Sequence, residues 1–288
     1  MKPKLYLVLA MLTFGSIGLF VREIPLPSAQ IAATRGLIGS LFLLLASMLM
    51  KKKLSVPAIK KNLFLLTASG AAIGFNWILL FEAYKYTTIS NATLSYYFAP
   101  VFVVFLSPLV LKERLTWTKV FCIIGALAGM FLIVGTGNSG SFEARELIGI
   151  GFGLSAAVLY ASVVLMNKFM RGLTGLETTL VQLSTAALVL LPYVLLQGNL
   201  QYGKLNGREW FLLMLVGLVH TGIAYLVYFT VFQKLSSQTV AIFSYIDPIS
   251  AIMMSALFLG ETMNGLQVLG GVLILGAAFL SGRASSNT

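Results

Sequence analysis

Asp247 stands one residue before Pro248 inside the apolar stretch Thr239 to Leu259, and a carboxylate at mid-bilayer costs at least about 2.5 kcal/mol on insertion scales. A charge kept there needs a partner. It can be an ammonium group on a bound solute, a coupling proton, Arg35, or a tyrosine hydroxyl. Pro248 strengthens the case, because it removes an amide donor and strains the carbonyl four residues back, leaving polar backbone for a solute or water to satisfy. Arg35, inside the apolar stretch Ser28 to Met50, carries the planar fork that grips a carboxylate through two parallel hydrogen bonds. Snorkelling to the surface or pairing with Glu82 would equally account for it. Glu82 lies beside Lys85 near the end of its own stretch, where a gate or anchor charge belongs. His220, the single histidine, can exchange a proton near neutrality; a hydrogen-bonded core residue is the plainer reading.

Aromatic residues recur where the apolar stretches would face one another: Phe14, Trp77, Tyr97, Tyr160 and Tyr245, with Tyr96, Tyr225 and Tyr228. Ring stacking and cation–π contact could select an aromatic or cationic solute, and ordinary helix packing uses the same residues. Trp77 beside Asn76, and the pair Tyr97 and Tyr245, are the strongest candidates among them.

The elements holding these groups must live in lipid. Hydrophobic residues make up 58% of the 288 and charged residues 10%, far from the balance of soluble domains. Apolar runs long enough to cross about 30 Å of hydrocarbon at 1.5 Å per residue predict ten spans: Leu5 to Val21, Ser28 to Met50, Asn62 to Tyr84, Asn91 to Leu111, Trp117 to Gly135, Leu147 to Met170, Leu176 to Gln197, Trp210 to Phe232, Thr239 to Leu259 and Gly265 to Ser281. The first run is longer than a secretory signal's apolar core and reads as a retained helix. No connection is long enough for a soluble domain, so chemistry must sit within the helices. The net charge of +11 then reflects topology rather than a nucleic-acid partner. One cysteine, Cys122, and one histidine provide neither a disulfide framework nor metal-ligand spacing, and no cofactor is implied.

With the N-terminus in the cytoplasm, the outer side receives Arg22, Lys85, Arg145, Lys204 and Arg208, and every other basic residue but Arg35 falls on the inner side. That is the bias the positive-inside rule describes. Both termini are expected in the cytoplasm and the chain in the plasma (inner) membrane.

The chain also repeats itself. Tyr97, Pro100, Ser107, Leu109, Leu111 and Glu113 recur 148 positions later as Tyr245, Pro248, Ser255, Leu257, Leu259 and Glu261. The residue matching Asp247 is Ala99, so the carboxylate is private to one half, whereas Glu113 and Glu261 sit at repeated span ends and suit a structural job such as capping neighbouring amides. Five spans per half is odd, so the halves, 1–140 and 141–288, should be inverted. Inverted repeats with broken helices at matching places point to a binding site at mid-membrane in a transporter. The expected fold is thus an all-α integral membrane protein, ten helices in two inverted five-helix repeats around a central cavity, with Pro100 and Pro248 at its breaks.

On these features the chain resembles the EamA-type branch of the drug/metabolite transporter superfamily: ten spans in two halves, a proline in the fourth and ninth, a glutamate closing each (Lys112-Glu113-Arg114 and Gly260-Glu261-Thr262), and Arg35 in the second. The resemblance covers essentially the whole chain. It implies alternating access for one small organic solute, often efflux of amino acids or related metabolites, and it leaves the solute open.

An intramembrane enzyme would need convergent acid/base, nucleophilic or metal-binding groups, and here they are scattered. The expected activity is therefore secondary transport, with possible partners a small-molecule solute, lipid and a coupling proton, by a monomer or weak homodimer. The solute is expected to be a zwitterion addressed by Arg35 and Asp247. Asp247 and His220 are the candidates for proton coupling. The alternative is export of hydrophobic or quaternary cations using Asp247 and the aromatic residues without Arg35, followed by translocation of a lipid-linked headgroup.

Overall fold

The structure is a computed structural model that describes residues 2–52, 54–111, 117–135, 144–232, 235 and 243–286. It consists of helices: α1 Lys2–Arg22, α2 Ser28–Leu49, the short α3 Val56–Lys61, α4 Leu63–Tyr86, α5 Ile89–Tyr96, α6 Ala99–Val110, α7 Trp117–Gly135, α8 Ala144–Phe169, α9 Gly175–Leu196, α10 Gly207–Leu215, a π-helical segment Val216–Ile223, α11 Ala224–Phe232, α12 Ile246–Leu259 and α13 Gly265–Ser286. Among the described residues, seven helical segments are long and apolar enough to cross a membrane, and three shorter apolar ones are Val120–Ile133, Ile246–Leu259 and Gly265–Leu280. The runs expected to span are helical over their described parts, apart from a few end residues and the turns inside the fourth and ninth. The outward faces are greasy: Phe64, Leu196 and Phe258 stand 83%, 87% and 73% exposed, which suits hydrocarbon rather than water.

The fourth run breaks where its proline foretold. The α5 helix ends at Tyr96, Tyr97 and Phe98 form a turn, and α6 begins at Ala99 with Pro100 in its first turn. In the ninth run the turn falls at Tyr245 and α12 starts at Ile246, with Pro248 just inside. A proline in the first turn forfeits no bond the helix would otherwise make. The breaks thus fall at Tyr97 and Tyr245, the matching positions of the repeat.

Packing pairs the elements of one half with those of the other: α1 lies on α12 and α11, α8 on α4, α5 and α6, α2 on α9 and the π segment, α4 on α9, and α7 on α13. Small residues permit the tightest crossings. A Cβ on Gly129 would come within 2.6 Å of the Gly270 carbonyl, and one on Gly39 within 2.4 Å of Thr221 Cγ2, so α7 and α13, and α2 and the π segment, approach at backbone distance.

Polar contacts close one end of the bundle, where α1 finishes. There Glu261 pairs with Arg22 and accepts the Ile89 and Ser90 amides at 3.0 and 3.3 Å, capping α5. Asn91 donates to Glu146, Arg145 to the Lys85 carbonyl, Arg208 to Glu23 and Gln30 to the Asn199 carbonyl. At the opposite end Glu177 accepts the Ser55 amide and completes a capping box with Thr174, and Asn62 donates to the Arg171 carbonyl.

A candidate solute site between the halves

A cavity of about 970 Å³ lies between the two halves of the chain. Its lining runs from Phe81 and Tyr84 in the last turns of α4, past Arg35 and Trp77, down to Met170 and Leu173 in the connection, and Gly175 at the start of α9, at the end where α1 begins. Among the described residues it includes none of those connecting helices at the Arg22 end. A smaller cavity of about 380 Å³ at that end, edged by Arg22, Lys85, Arg145 and Glu146, shares no lining residue with it. The main cavity is therefore sealed on the Arg22 side.

Arg35 is 4% exposed. Its guanidinium carbon sits 4.1 Å from the Trp77 ring centroid and 5.4 Å from that of Phe81, and its Nε donates to Thr221 Oγ1 at 3.0 Å. Stacking on an aromatic face suits a weakly hydrated planar cation. Glu82 is taken by Lys85 at 3.0 Å and Asp247 by Tyr97, so Arg35 has no carboxylate partner among the described residues. Both its pairing with Glu82 and its ion pair with Asp247 are thereby absent, and its two terminal nitrogens are left for the cavity.

Thr221 owes its position to the π segment. In a helix widened to a five-residue repeat, its hydroxyl reaches the Val216 carbonyl at 3.1 Å while receiving Arg35. Such widened turns are rare and gather at functional sites. This support was invisible in the sequence, although Gly39, which lets Thr221 approach α2, was the available signal.

Asp247 lies in the first turn of α12 and accepts the Tyr97 hydroxyl at 2.6 Å, joining the ninth run to the break in the fourth. Tyr97 meets Tyr96 edge-on, and Tyr96 tilts against Tyr160. Phe14 packs edge-on against Tyr225, with centroids 5.1 Å apart. Phe14, Asn76, Trp77, Tyr97, Pro100, Tyr160, Tyr245 and Asp247 all line the same cavity as Arg35. Asn76 is partly engaged, its amide donating to the Ala156 carbonyl at 2.6 Å.

Other candidates lie elsewhere. His220 is 2% exposed, with Nε2 3.0 Å from Ser16 Oγ and its ring against Phe20, and it does not line the cavity. Glu82 and Glu261 belong to the Arg22 end. Pro248 is buried behind Asp247, and Glu113 lies outside the described residues. Three cavity-lining polar residues that sequence reasoning passed over are Asn167, Thr179 and Gln182.

The EamA-like transporter family model matches residues 1–135 and 147–283, nearly the whole chain. The chain belongs to the EamA-like transporter family. Among the relatives of this EamA-like protein, the Bacillus subtilis transporter YxxF is 30% identical over 96% of this chain and 88% of its own length. The pseudopaline exporter CntI of Pseudomonas aeruginosa is 26% identical over 96% of this chain and 94% of its own. RarD of Salmonella typhi is 25% identical over 73% and 68%. A solved crystal structure aligns with a TM-score of 0.65 at 20% identity, covering 99% of this chain and 98% of that one, and so shares the fold. The chain is thus a multi-pass membrane transporter of the drug/metabolite type.

Proposed function

We propose that this transporter is a secondary carrier moving a small zwitterionic, amino-acid-like metabolite out of the cell by alternating access, with Arg35 receiving the solute's carboxylate and Asp247 its ammonium. The observation that carries this reading is Arg35 itself: a buried guanidinium lining the cavity, stacked on Trp77 and steadied by Thr221, with no carboxylate partner among the described residues. An unpaired charge held in the interior is costly. An anionic group on the solute offsets that cost when it binds.

Asp247, already hydrogen-bonded by Tyr97, supplies the opposite charge in the same cavity and is the site proposed for proton coupling. The ten spans form two inverted five-helix repeats, 1–140 and 141–288. What supports this is that the family model matches twice and that contacts occur in equivalent sets. Relating α1 to α8, α2 to α9, α4 to α10–α11 and α5–α6 to α12 carries α1 on α12 into α8 on α5 and α6, and α4 on α8 into α11 on α1. Export as the direction draws support from the relative that is named an exporter. Placement in the inner membrane with both termini cytoplasmic rests on the basic-residue bias, which puts the cavity mouth on the cytoplasmic side.

The test is a thermal-shift screen of amino acids, amines and quaternary cations on wild type and Arg35→Ala. A zwitterion that raises the melting temperature by mass action should lose its effect in Arg35→Ala. A cation whose shift survives that substitution would favour the hydrophobic-cation reading, to which the aromatic wall is also suited.

A further inference from the structure

A second group of polar side chains lies nearer the mouth of the same cavity. Gln182 is 4% exposed, and its amide nitrogen donates to Ser69 Oγ at 2.8 Å and to Asn167 Oδ1 at 2.7 Å. That leaves the Gln182 carbonyl oxygen and the Asn167 amide nitrogen without a protein partner. Thr179, 7% exposed and one helical turn before Gln182, has a hydroxyl that is likewise unpartnered. All three residues line the cavity. Gln182 and Thr179 are buried and Asn167 is exposed. Buried polar groups are ordinarily satisfied, so the open oxygens of the first two, beside the Asn167 amide, are built to meet a neutral hydrogen-bonding group.

Its depth follows from helix packing. A Cβ on Gly36, next to Arg35, would lie 3.6 Å from the Ala187 amide nitrogen, so Arg35 and Ala187 are level. Gln182 precedes Ala187 by five residues, which at 1.5 Å per residue puts it about 7 Å nearer the cavity mouth. A single small amino acid held at Arg35 cannot span that distance. The cavity itself, about 970 Å³, is at the upper end of the roughly 300–1,000 Å³ of sites that enclose drug-sized ligands.

We infer that Gln182, Asn167 and Thr179 form a distal subsite that reads a neutral polar group, such as a carboxamide, about 7 Å from the solute's charged head. The solute is then an elongated zwitterion with a polar tail. This rests on the zwitterion reading of Arg35 and Asp247, and the experiment separates the two.

Isothermal titration on the purified, full-length protein compares Nε-acetyl-L-lysine with L-norleucine, which share the α-amino acid head and an unbranched apolar stem but differ in the distal amide. Wild type should bind the acetylated probe about tenfold more tightly, the worth of one or two net hydrogen bonds. The ratio should fall toward one in Gln182→Leu. Thr179→Val, which removes one hydroxyl without disturbing the bonds to Ser69, should lower it in part and guards against a Gln182→Leu protein that does not fold. Equal affinities in wild type, with both lost in Arg35→Ala, would overturn the subsite and leave the charged head site standing. Failure of both probes to bind wild type would overturn both.

Discussion

Glu261→Gln should open the Arg22 end of the bundle. In the structure one carboxylate, with 8% of its side chain exposed, ties three elements together: Arg22 at the end of α1, the first amides of α5, and its own place after α12. Glutamine keeps the shape and one acceptor. It loses the charge at the α5 N-terminus, about 0.3–1 kcal/mol, and puts an amide group where Ser90 N–H now donates, about 0.5–1.5 kcal/mol. The Arg22 pair adds less, about 0.2–1 kcal/mol, because that side chain is 38% exposed and screened by solvent. Together these amount to about 1–3 kcal/mol, lost only from the state closed at this end. At 1.4 kcal/mol per factor of ten, the population open there should rise about fivefold to a hundredfold. The assay uses Thr93→Cys in a Cys122→Ser background, since Thr93 lines the cavity and is 5% exposed. Labelling by a membrane-impermeant thiol reagent from the Arg22 side should accelerate about fivefold or more on adding Glu261→Gln, and labelling from the opposite side should slow. An unchanged rate in a protein of unchanged melting temperature would refute this account of the closure.

Thr221→Val should leave Arg35 Nε unpaired and misaligned, weakening solute binding about tenfold in titrations while the fold persists. Gly39→Val should bring side-chain carbon into Thr221, where even a Cβ would lie at 2.4 Å, and lower the unfolding midpoint by the equivalent of about 1–3 kcal/mol, read by denaturant or thermal melts. Asp247→Asn should preserve expression and melting temperature but abolish solute-driven exchange and its pH dependence in vesicles. His220→Gln, at a residue enclosed by Ser16 and Phe20 away from the cavity, should alter the melting temperature and leave the pH profile of exchange in place.

Much of the fold was legible because lipid imposes simple demands. Apolar runs of spanning length became helices, and prolines at Pro100 and Pro248 placed breaks just before them, at Tyr97 and Tyr245. Arg35, Trp77 and Asp247 could be picked out because charge and broken backbone are conspicuous in hydrocarbon. The helices are apolar nearly all round, so no amphipathic stripe marks which face looks inward, and that is why Gln182, Asn167 and Thr179 passed as ordinary polar residues. The π segment was hidden for another reason. Its register is settled where α2 and α10–α11 cross at Gly39, by contacts with a helix far away in sequence. Pairings such as Glu82 with Lys85 and His220 with Ser16 depend on rotamers and helix rotation that spacing alone leaves open.

Counterflow in proteoliposomes bears most directly on a carrier that addresses a zwitterion through Arg35 and Asp247. With the amino acid giving the largest melting shift as the labelled solute, unlabelled solute on the far side should accelerate its uptake in wild type, and both Arg35→Ala and Asp247→Asn should abolish the acceleration. Uptake indifferent to solute on the far side, or exchange that persists in both variants, would contradict it.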